Sequence, residues 1–376
     1  MSYSTQRIAR LRALMKREAY DFFYIRNTSN ILWLSAFDDV FDSEDAHALV
    51  VSQDKVILHT DSRYSEAAQR KARGTDISVD ASFSTHAQFF TEELARWAKQ
   101  KGGTCKIALE SSISLEEYRA LERELNQLDK TYAQVVTEET QGCVVGLRGI
   151  KDAEEIRRLK TAQAITDAAF SHIIDFLCPG MTERAVQIEL EDYMIRHGAA
   201  GLAFSSIVAC GPNAALPHAI PSETLIESGQ CIVFDFGARY GSYCSDMTRT
   251  LFVGSPSPKL RHAYAALRET NESLEAFLRP GVSGAQAQEL AEKLLTEAGY
   301  SNMMRHALGH GVGIDVHEQP MLASHNTREL VEGNVVTIEP GIYKPGDFGM
   351  RLEDFGIIKK DGLEVFTQSS HDMVII

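Results

Sequence analysis

The sequence predicts an α+β protein of two units, a smaller α/β unit over residues 1–147 and a larger unit over 148–376. Three observations carry this. The first 145 residues alternate apolar strand-like runs with amphipathic segments. A long helical pattern, LRGIKDAEEIRRLKTAQAITDAAFSHIIDFL (147–177), then opens a different kind of sequence. After it, one pattern of two helices followed by strands occurs twice.

In the first unit, FFYI (22–25), ALVVS (48–52), KVILHT (55–60), KIAL (106–109) and YAQVV (132–136) read as strands. Residues 63–73, 86–100 and 114–127 read as helices, and Ile8, Leu11, Leu14 and Met15 place an amphipathic helix at the start of the chain. The duplication in the second unit rests on Phe176-Leu177-Cys178-Pro179-Gly180-Met181-Thr182 against Phe277-Leu278-Arg279-Pro280-Gly281-Val282-Ser283. In each copy a helix ends at Pro-Gly and the next begins on an N-capping hydroxyl, and Ser283 with Gln286 forms a capping-box pattern. Further on, Val233-Phe234-Asp235-Phe236-Gly237 lies over Thr337-Ile338-Glu339-Pro340-Gly341. This suggests two pseudo-symmetric halves closing around a shared site.

Composition narrows the function. A formal charge of −14 argues against nucleic acid as a partner, because phosphate binding needs a basic face. No run approaches the ~18 apolar residues of a membrane span, and the basic N-terminal stretch lacks the apolar core of a signal peptide. The six cysteines are scattered without CxxC, which reads as reduced thiols in a reducing, cytoplasmic compartment.

The chemistry lies in acidic residues set in apolar strands. Asp235 sits among Val233, Phe234 and Phe236, and Asp246 precedes a second apolar run, so a β-hairpin can turn both carboxylates toward each other. Glu339 and Glu353 repeat the arrangement across a Pro/Gly-rich turn. A single carboxylate of this kind is ordinarily a structural ion pair. Four in one pocket repel one another, and metal ions or cationic side chains are the available compensation. RHALGHGVGIDVHEQP (305–320) adds three histidines, of which His310 is flanked by Gly309, Gly311 and Gly313; little side-chain bulk there hinders approach of the backbone to a ligand. One imidazole and four carboxylates form a hard, oxygen-rich donor set that suits Mn²⁺ and tolerates Co²⁺, Zn²⁺ or Fe²⁺. The HExxH, GxSxG, P-loop and GxGxxG templates are absent.

At PNAALPHA (212–219), FDFGARYGSYCSDMTRT (234–250), GHGVGIDVHEQP (309–320), TIEPGIY (337–343) and RLEDFG (351–356), the sequence resembles the pita-bread metallopeptidases. That family comprises methionine aminopeptidases, Xaa-Pro aminopeptidases and Xaa-Pro dipeptidases. The resemblance covers roughly 150–376 and implies that Asp235, Asp246, His310, Glu339 and Glu353 hold two divalent ions. It assigns Asp235 and Glu353 to both ions, Asp246 to one, and His310 and Glu339 to the other.

His218, His306, His317, Tyr343 and Arg351 match the proline-specific branch, and the preceding 150 residues resemble its N-terminal domain. The implied activity is hydrolysis of the Xaa-Pro bond in dipeptides or at peptide N-termini. Glu339 would handle the proton, and His218 and His317 would stabilise the oxyanion. Arg351 would orient carboxylates or bind one from the substrate, and Tyr343 and His306 would shape the proline pocket. The resemblance also implies a homodimer in which residues 30–45 reach the partner's site. Cys210 and Phe355 depart from the usual small or hydroxylated residues and bear only on pocket shape. Two other readings stand beside this one: a methionine aminopeptidase or other C–N hydrolase on the same fold, and a non-catalytic binding protein, which would be expected to have lost ligands.

Overall fold

The computed structural model describes residues 3–42, 45–128 and 133–376. The chain divides into two compact units, Met1–Arg148 and Gly149–Ile376. Of the positions read above, Met1, Ser2, Ser43, Glu44 and Tyr132 lie outside the described residues.

The first unit is built on a six-stranded mixed sheet. Its order is Ile77–Asp80, Val56–Thr60, His47–Ser52, Phe22–Ile25, Gly103–Glu110 and Ala133–Thr140. Antiparallel pairs at its centre are flanked by parallel ones. Helices Ser62–Ala72, His86–Lys101 and Leu115–Asn126 lie at the expected segments. Phe90 and Leu94 pack on Phe22, Tyr24, Ile107 and Leu109 to form an apolar core. The strand Ile77–Asp80 and the helix Thr28–Ser35 were not expected. The helix holds only eight residues and is fixed by Asn27, whose side chain caps Asn30 N, rather than by any long periodicity.

In the second unit the expected helix over 147–177 begins only at Ala153. Asp152 forms a capping box with Glu155, and Leu147 and Arg148 instead end a short helix, Cys143–Arg148. The duplication appears as two helix pairs, Ala153–Phe176 with Glu183–Arg196 and Pro258–Phe277 with Gly284–Glu297. Each pair packs on its own apolar cluster. Thr182 and Ser283 cap the second helix of each pair, the latter in a full capping box. Both preceding turns are stitched alike. Gly180 N donates to Ile226 O and Ile226 N to Met181 O, while Gly281 N donates to Leu330 O and Leu330 N to Val282 O.

Strand Cys231–Phe236 pairs antiparallel with Ile207–Cys210 on one side and Met247–Phe252 on the other. Strand Val335–Ile338 pairs antiparallel with Gly309–Gly311 and Asp354–Lys359. The two triplets meet where Thr248 bridges to Glu353, and Glu353 N donates to Thr248 O at 3.0 Å. No helix among the described residues is long and apolar enough to cross a membrane.

Candidate metal and peptide site

The seam between the halves is where the acidic side chains converge. Asp235 lies in its strand opposite Thr248, and Asp246 directly precedes the partner strand. Glu339 and Glu353 do not sit within strands, as the apolar runs suggested. Glu339 follows Val335–Ile338 and Glu353 precedes Asp354–Lys359, with the hairpin Gly341–Lys344 and Phe348–Arg351 between them. Strand ends fan toward one point, and a cavity of about 340 Å³ opens there. It is lined by Asp235, Asp246, His310, Glu339, Glu353, His218, His306, His317 and Arg351, with Phe204, Ile207, Val316 and Met321 supplying apolar wall.

His310 Nδ1 lies 3.1 Å from Gly311 O, a group that can only accept, so Nδ1 carries the proton. The other nitrogen, Nε2, then faces carboxylate oxygens of Glu339 at 3.3 Å and Asp246 at 3.6 Å. Donor atoms of Asp246, His310 and Glu353 all lie within 4.8 Å of one another. The glycines beside His310 act otherwise than expected. A side chain at Gly309 would strike the Thr337 carbonyl, and one at Gly311 the Gln319 carbonyl. They let neighbouring strands close on the histidine segment and do not clear room for a ligand.

The site's electrostatics disfavour holding all four carboxylates ionised together. Burial, then the charges of Glu353 and Asp235, hold the Asp246 carboxyl well above the usual carboxylate range. Burial, then Glu339 and Asp235, do the same to Glu353, and burial raises Asp235. Glu339 is also buried, yet hydrogen bonding and charge from His310 outweigh that and pull it down to about 2.

Arg351 supplies part of the compensation. Its Nη2 donates to Asp235 Oδ2. Nη1 donates to Tyr343 Oη at 2.7 Å and Nε to Thr248 Oγ1 at 2.9 Å, leaving Glu339 at 4.0 Å. Tyr343 Oη in turn bonds His306 Nε2 at 2.9 Å, and His306 Nδ1 donates to Ala307 O. One guanidinium cannot neutralise four carboxylates, and Asp235 Oδ1 stays buried with no hydrogen-bond partner. A buried oxygen without a donor, beside the His310 imidazole and three more carboxylates, fits a divalent-metal centre.

His218 and His317 are exposed at the cavity mouth, the latter with its ring 4.2 Å from that of His310. The loop carrying His218 hangs on Glu183. This buried carboxylate accepts from Cys210 N at 2.8 Å, Asn213 Nδ2 at 3.1 Å and Ser222 Oγ at 2.8 Å. Cys210 is thus part of a loop anchor, and Phe355 packs edge-on against Phe366. Sequence reasoning missed Glu183 and Thr248. Thr248 Oγ1 donates to Glu353 Oε2 at 2.7 Å while accepting from Arg351. Its position two residues after Asp246, on the same strand face, was the available signal.

Residues 157–360 match the model for metallopeptidase family M24, and residues 7–139 match the creatinase/prolidase N-terminal domain. The chain is 33% identical to the uncharacterised peptidase YqhT of Bacillus subtilis over 98% of this chain and 100% of that one. Among solved structures, an Xaa-Pro dipeptidase from Bacillus anthracis matches with TM-score 0.86 and 35% identity, covering 99% of this chain and 100% of the other. An X-Pro aminopeptidase from Thermotoga maritima matches with TM-score 0.85 and 30% identity over 98% and 100%.

Proposed function

Because the chain belongs to metallopeptidase family M24, we propose that it is a metal-dependent exopeptidase cleaving the bond before proline, in dipeptides or at peptide N-termini. The observation that carries this is the convergence of Asp235, Asp246, His310, Glu339 and Glu353 on one cavity with Asp235 Oδ1 unpartnered. These five would hold two divalent ions, Mn²⁺ first among Mn²⁺, Co²⁺, Zn²⁺ and Fe²⁺. Asp246, His310 and Glu353, whose donor atoms cluster, would hold metal together with Glu339 and with Asp235, which also accepts from Arg351. When bound, the ions supply positive charge that polarises the scissile carbonyl and lowers the pKa of water.

The chain's own groups do the rest. Glu339, the least protonated of the four carboxylates, accepts the proton of the attacking water and delivers it to the leaving proline nitrogen. His218 and His317, at the mouth, donate to the carbonyl oxygen as charge develops on it. Arg351 fixes Asp235 and, through Tyr343, His306; this chain closes one wall against the proline ring. Val316, Met321 and Phe204 exclude water from the remainder. The same reading extends to a cytoplasmic homodimer with residues 30–45 near the partner's site, supported by family likeness alone.

The test is removal of metal with chelator, then restoration with Mn²⁺, Co²⁺ or Zn²⁺ and assay of Ala-Pro, Ala-Pro-Ala and Met-Ala-Ser. Metal-dependent turnover of either proline peptide is expected. Turnover of Met-Ala-Ser alone, or of nothing, would remove the proposal.

A further inference from the structure

A second polar cluster, whose residues do not line the cavity, links a segment distant in sequence to Glu353. Arg249 is 1% exposed, and its guanidinium fork is divided between two tasks. Nη1 donates to the carbonyls of Glu353 at 2.6 Å and Thr248 at 2.9 Å. Nη2 donates to Asp354 Oδ1 at 2.6 Å and to the carbonyl of Ser369 at 2.8 Å. The other Asp354 oxygen accepts from His371 Nε2 at 2.8 Å. His371 is held in turn by Tyr264 Oη, which donates to its carbonyl at 3.2 Å. Ser369 N and Oγ donate to Asp167 at 2.9 and 2.5 Å.

Glu353 is therefore gripped at three points. Thr248 takes its amide and its carboxylate, and Arg249 takes its carbonyl. Thr248 is fixed by strand pairing, while Arg249 is oriented by Asp354 and His371. Resting on the metallopeptidase reading above, the geometry points to Arg249 and His371 as positioning residues for the metal ligand Glu353, with His371 carrying the influence of residues 369–372 into the site. Outer partners of this kind orient ligands and set metal affinity without touching the ion. Glu275, with its donor atom within 4.8 Å of those of Asp354 and His371, does not turn the cluster into an ion seat of its own. Arg249 and His371 already occupy both Asp354 oxygens.

The experiment uses the full chain and compares wild type, His371→Ala and His371→Gln. Gln keeps an amide donor at the position of Nε2. Binding of Mn²⁺ is titrated in chelator-buffered solution, the Co²⁺ absorption spectrum is recorded, and melting of the metal-free proteins is measured alongside. Expected is about tenfold weaker Mn²⁺ binding with an altered Co²⁺ spectrum in His371→Ala, the low end of outer-partner effects. His371→Gln should stay within about threefold of wild type, and metal-free melting of all three should agree within a few degrees. Equal Mn²⁺ affinity in wild type and His371→Ala overturns the positioning role, as does a Gln variant impaired as badly as Ala. Loss of a whole bound ion from His371→Ala, with the other ions retained at wild-type affinity, would make the cluster a metal site and also overturn it. A wild-type protein that binds no Mn²⁺ or Co²⁺ would instead remove the underlying metallopeptidase reading.

Discussion

The two halves of the second unit share a plan but not a contribution. In the first half, strand Ile207–Cys210 places Ala209 opposite Val233. In the second, the corresponding strand places His310 beside Thr337, whose hydroxyl accepts from His310 N at 3.0 Å. The first half thus brings two carboxylates and the second brings two carboxylates and an imidazole. At the helix caps the asymmetry is reversed. The first half follows Thr182 with Glu183, whose buried carboxylate gathers the His218 loop, whereas the second follows Ser283 with Gly284, packed on the Met321 carbonyl. A duplicated scaffold delivers four acidic groups by symmetry. Chemistry that needs neutral donors and a substrate loop is added to one half at a time.

Donor atoms of Asp246 and Glu353 lie within 4.8 Å of each other, so Asp246→Asn and Glu353→Gln should cripple the enzyme equally despite coming from different halves. Each is expected to lower kcat/KM on the order of 10³–10⁴-fold, beyond the roughly 100-fold typical of outer partners. Asp235→Asn should cost less, because one of its oxygens already serves Arg351. Steady-state kinetics at saturating Mn²⁺ with bound-metal analysis checks this. A variant of either residue that keeps its bound metal at wild-type affinity would break the assignment of both as ligands.

Arg351 is the only lysine or arginine lining the cavity among the described residues, and it comes from the second half to pair with a first-half carboxylate. Arg351→Met leaves Asp235 buried and uncompensated, a change that typically costs about 3–5 kcal/mol. The metal-free variant should therefore unfold at markedly lower denaturant than wild type. Added Mn²⁺ should recover part of the loss, because an ion can take the place of the guanidinium charge.

The pH dependence sharpens the same point. Asp246 and Glu353 have raised pKa values in the folded state, so their protonated forms favour folding. That stability is complete below the unfolded carboxylate values near pH 4 and is lost as pH rises through the folded values. Glu339, depressed to about 2, contributes in the opposite sense, with stability present above about pH 4.5 and lost as pH falls toward 2. Three raised carboxyls, Asp235 among them, against one lowered make the chelated protein less stable from pH 4 upward. Metal replaces the protons, so the melting shift on adding Mn²⁺ should grow with pH, by about 1.4 kcal/mol per pH unit for each proton displaced. A shift that is flat between pH 5.5 and 8 would mean that the four carboxylates do not share ions.

Much of this was legible from residue order. The Pro-Gly-capped helix pairs, the apolar strands around Asp235 and Glu339, and the three histidines in one segment all carry local signals of period and punctuation. What sequence reasoning missed depends on register. Nothing local says that Thr248 will face both Asp235 and Glu353, because that contact joins residues 105 apart across two separately formed strand triplets. The role of the glycines around His310 was misread for a related reason, since the space at Gly309 and Gly311 is closed by the Thr337 and Gln319 carbonyls of neighbouring strands. The helix Thr28–Ser35 escaped because eight residues rich in Ser, Asn and Trp show little amphipathic period.

The smallest effects should come from the caps, and they test whether the halves are energetically as well as topologically alike. Thr182 Oγ1 accepts from Ala185 N at 3.1 Å, and Ser283 Oγ accepts from Gln286 N at 3.2 Å. Each removal to Ala should cost about 1 kcal/mol. In the second half the Gln286 side chain also returns to Ser283 N at 2.9 Å, a bond that uses the backbone and survives the loss of the hydroxyl. Ser283→Ala should therefore be tolerated slightly better than Thr182→Ala, while Gln286→Ala added to it brings the two halves level. Urea unfolding of the three variants decides the matter. Should Thr182→Ala cost far more than 1 kcal/mol, the excess would measure how strongly the neighbouring Glu183 carboxylate, and through it the His218 loop, depends on a correctly started helix.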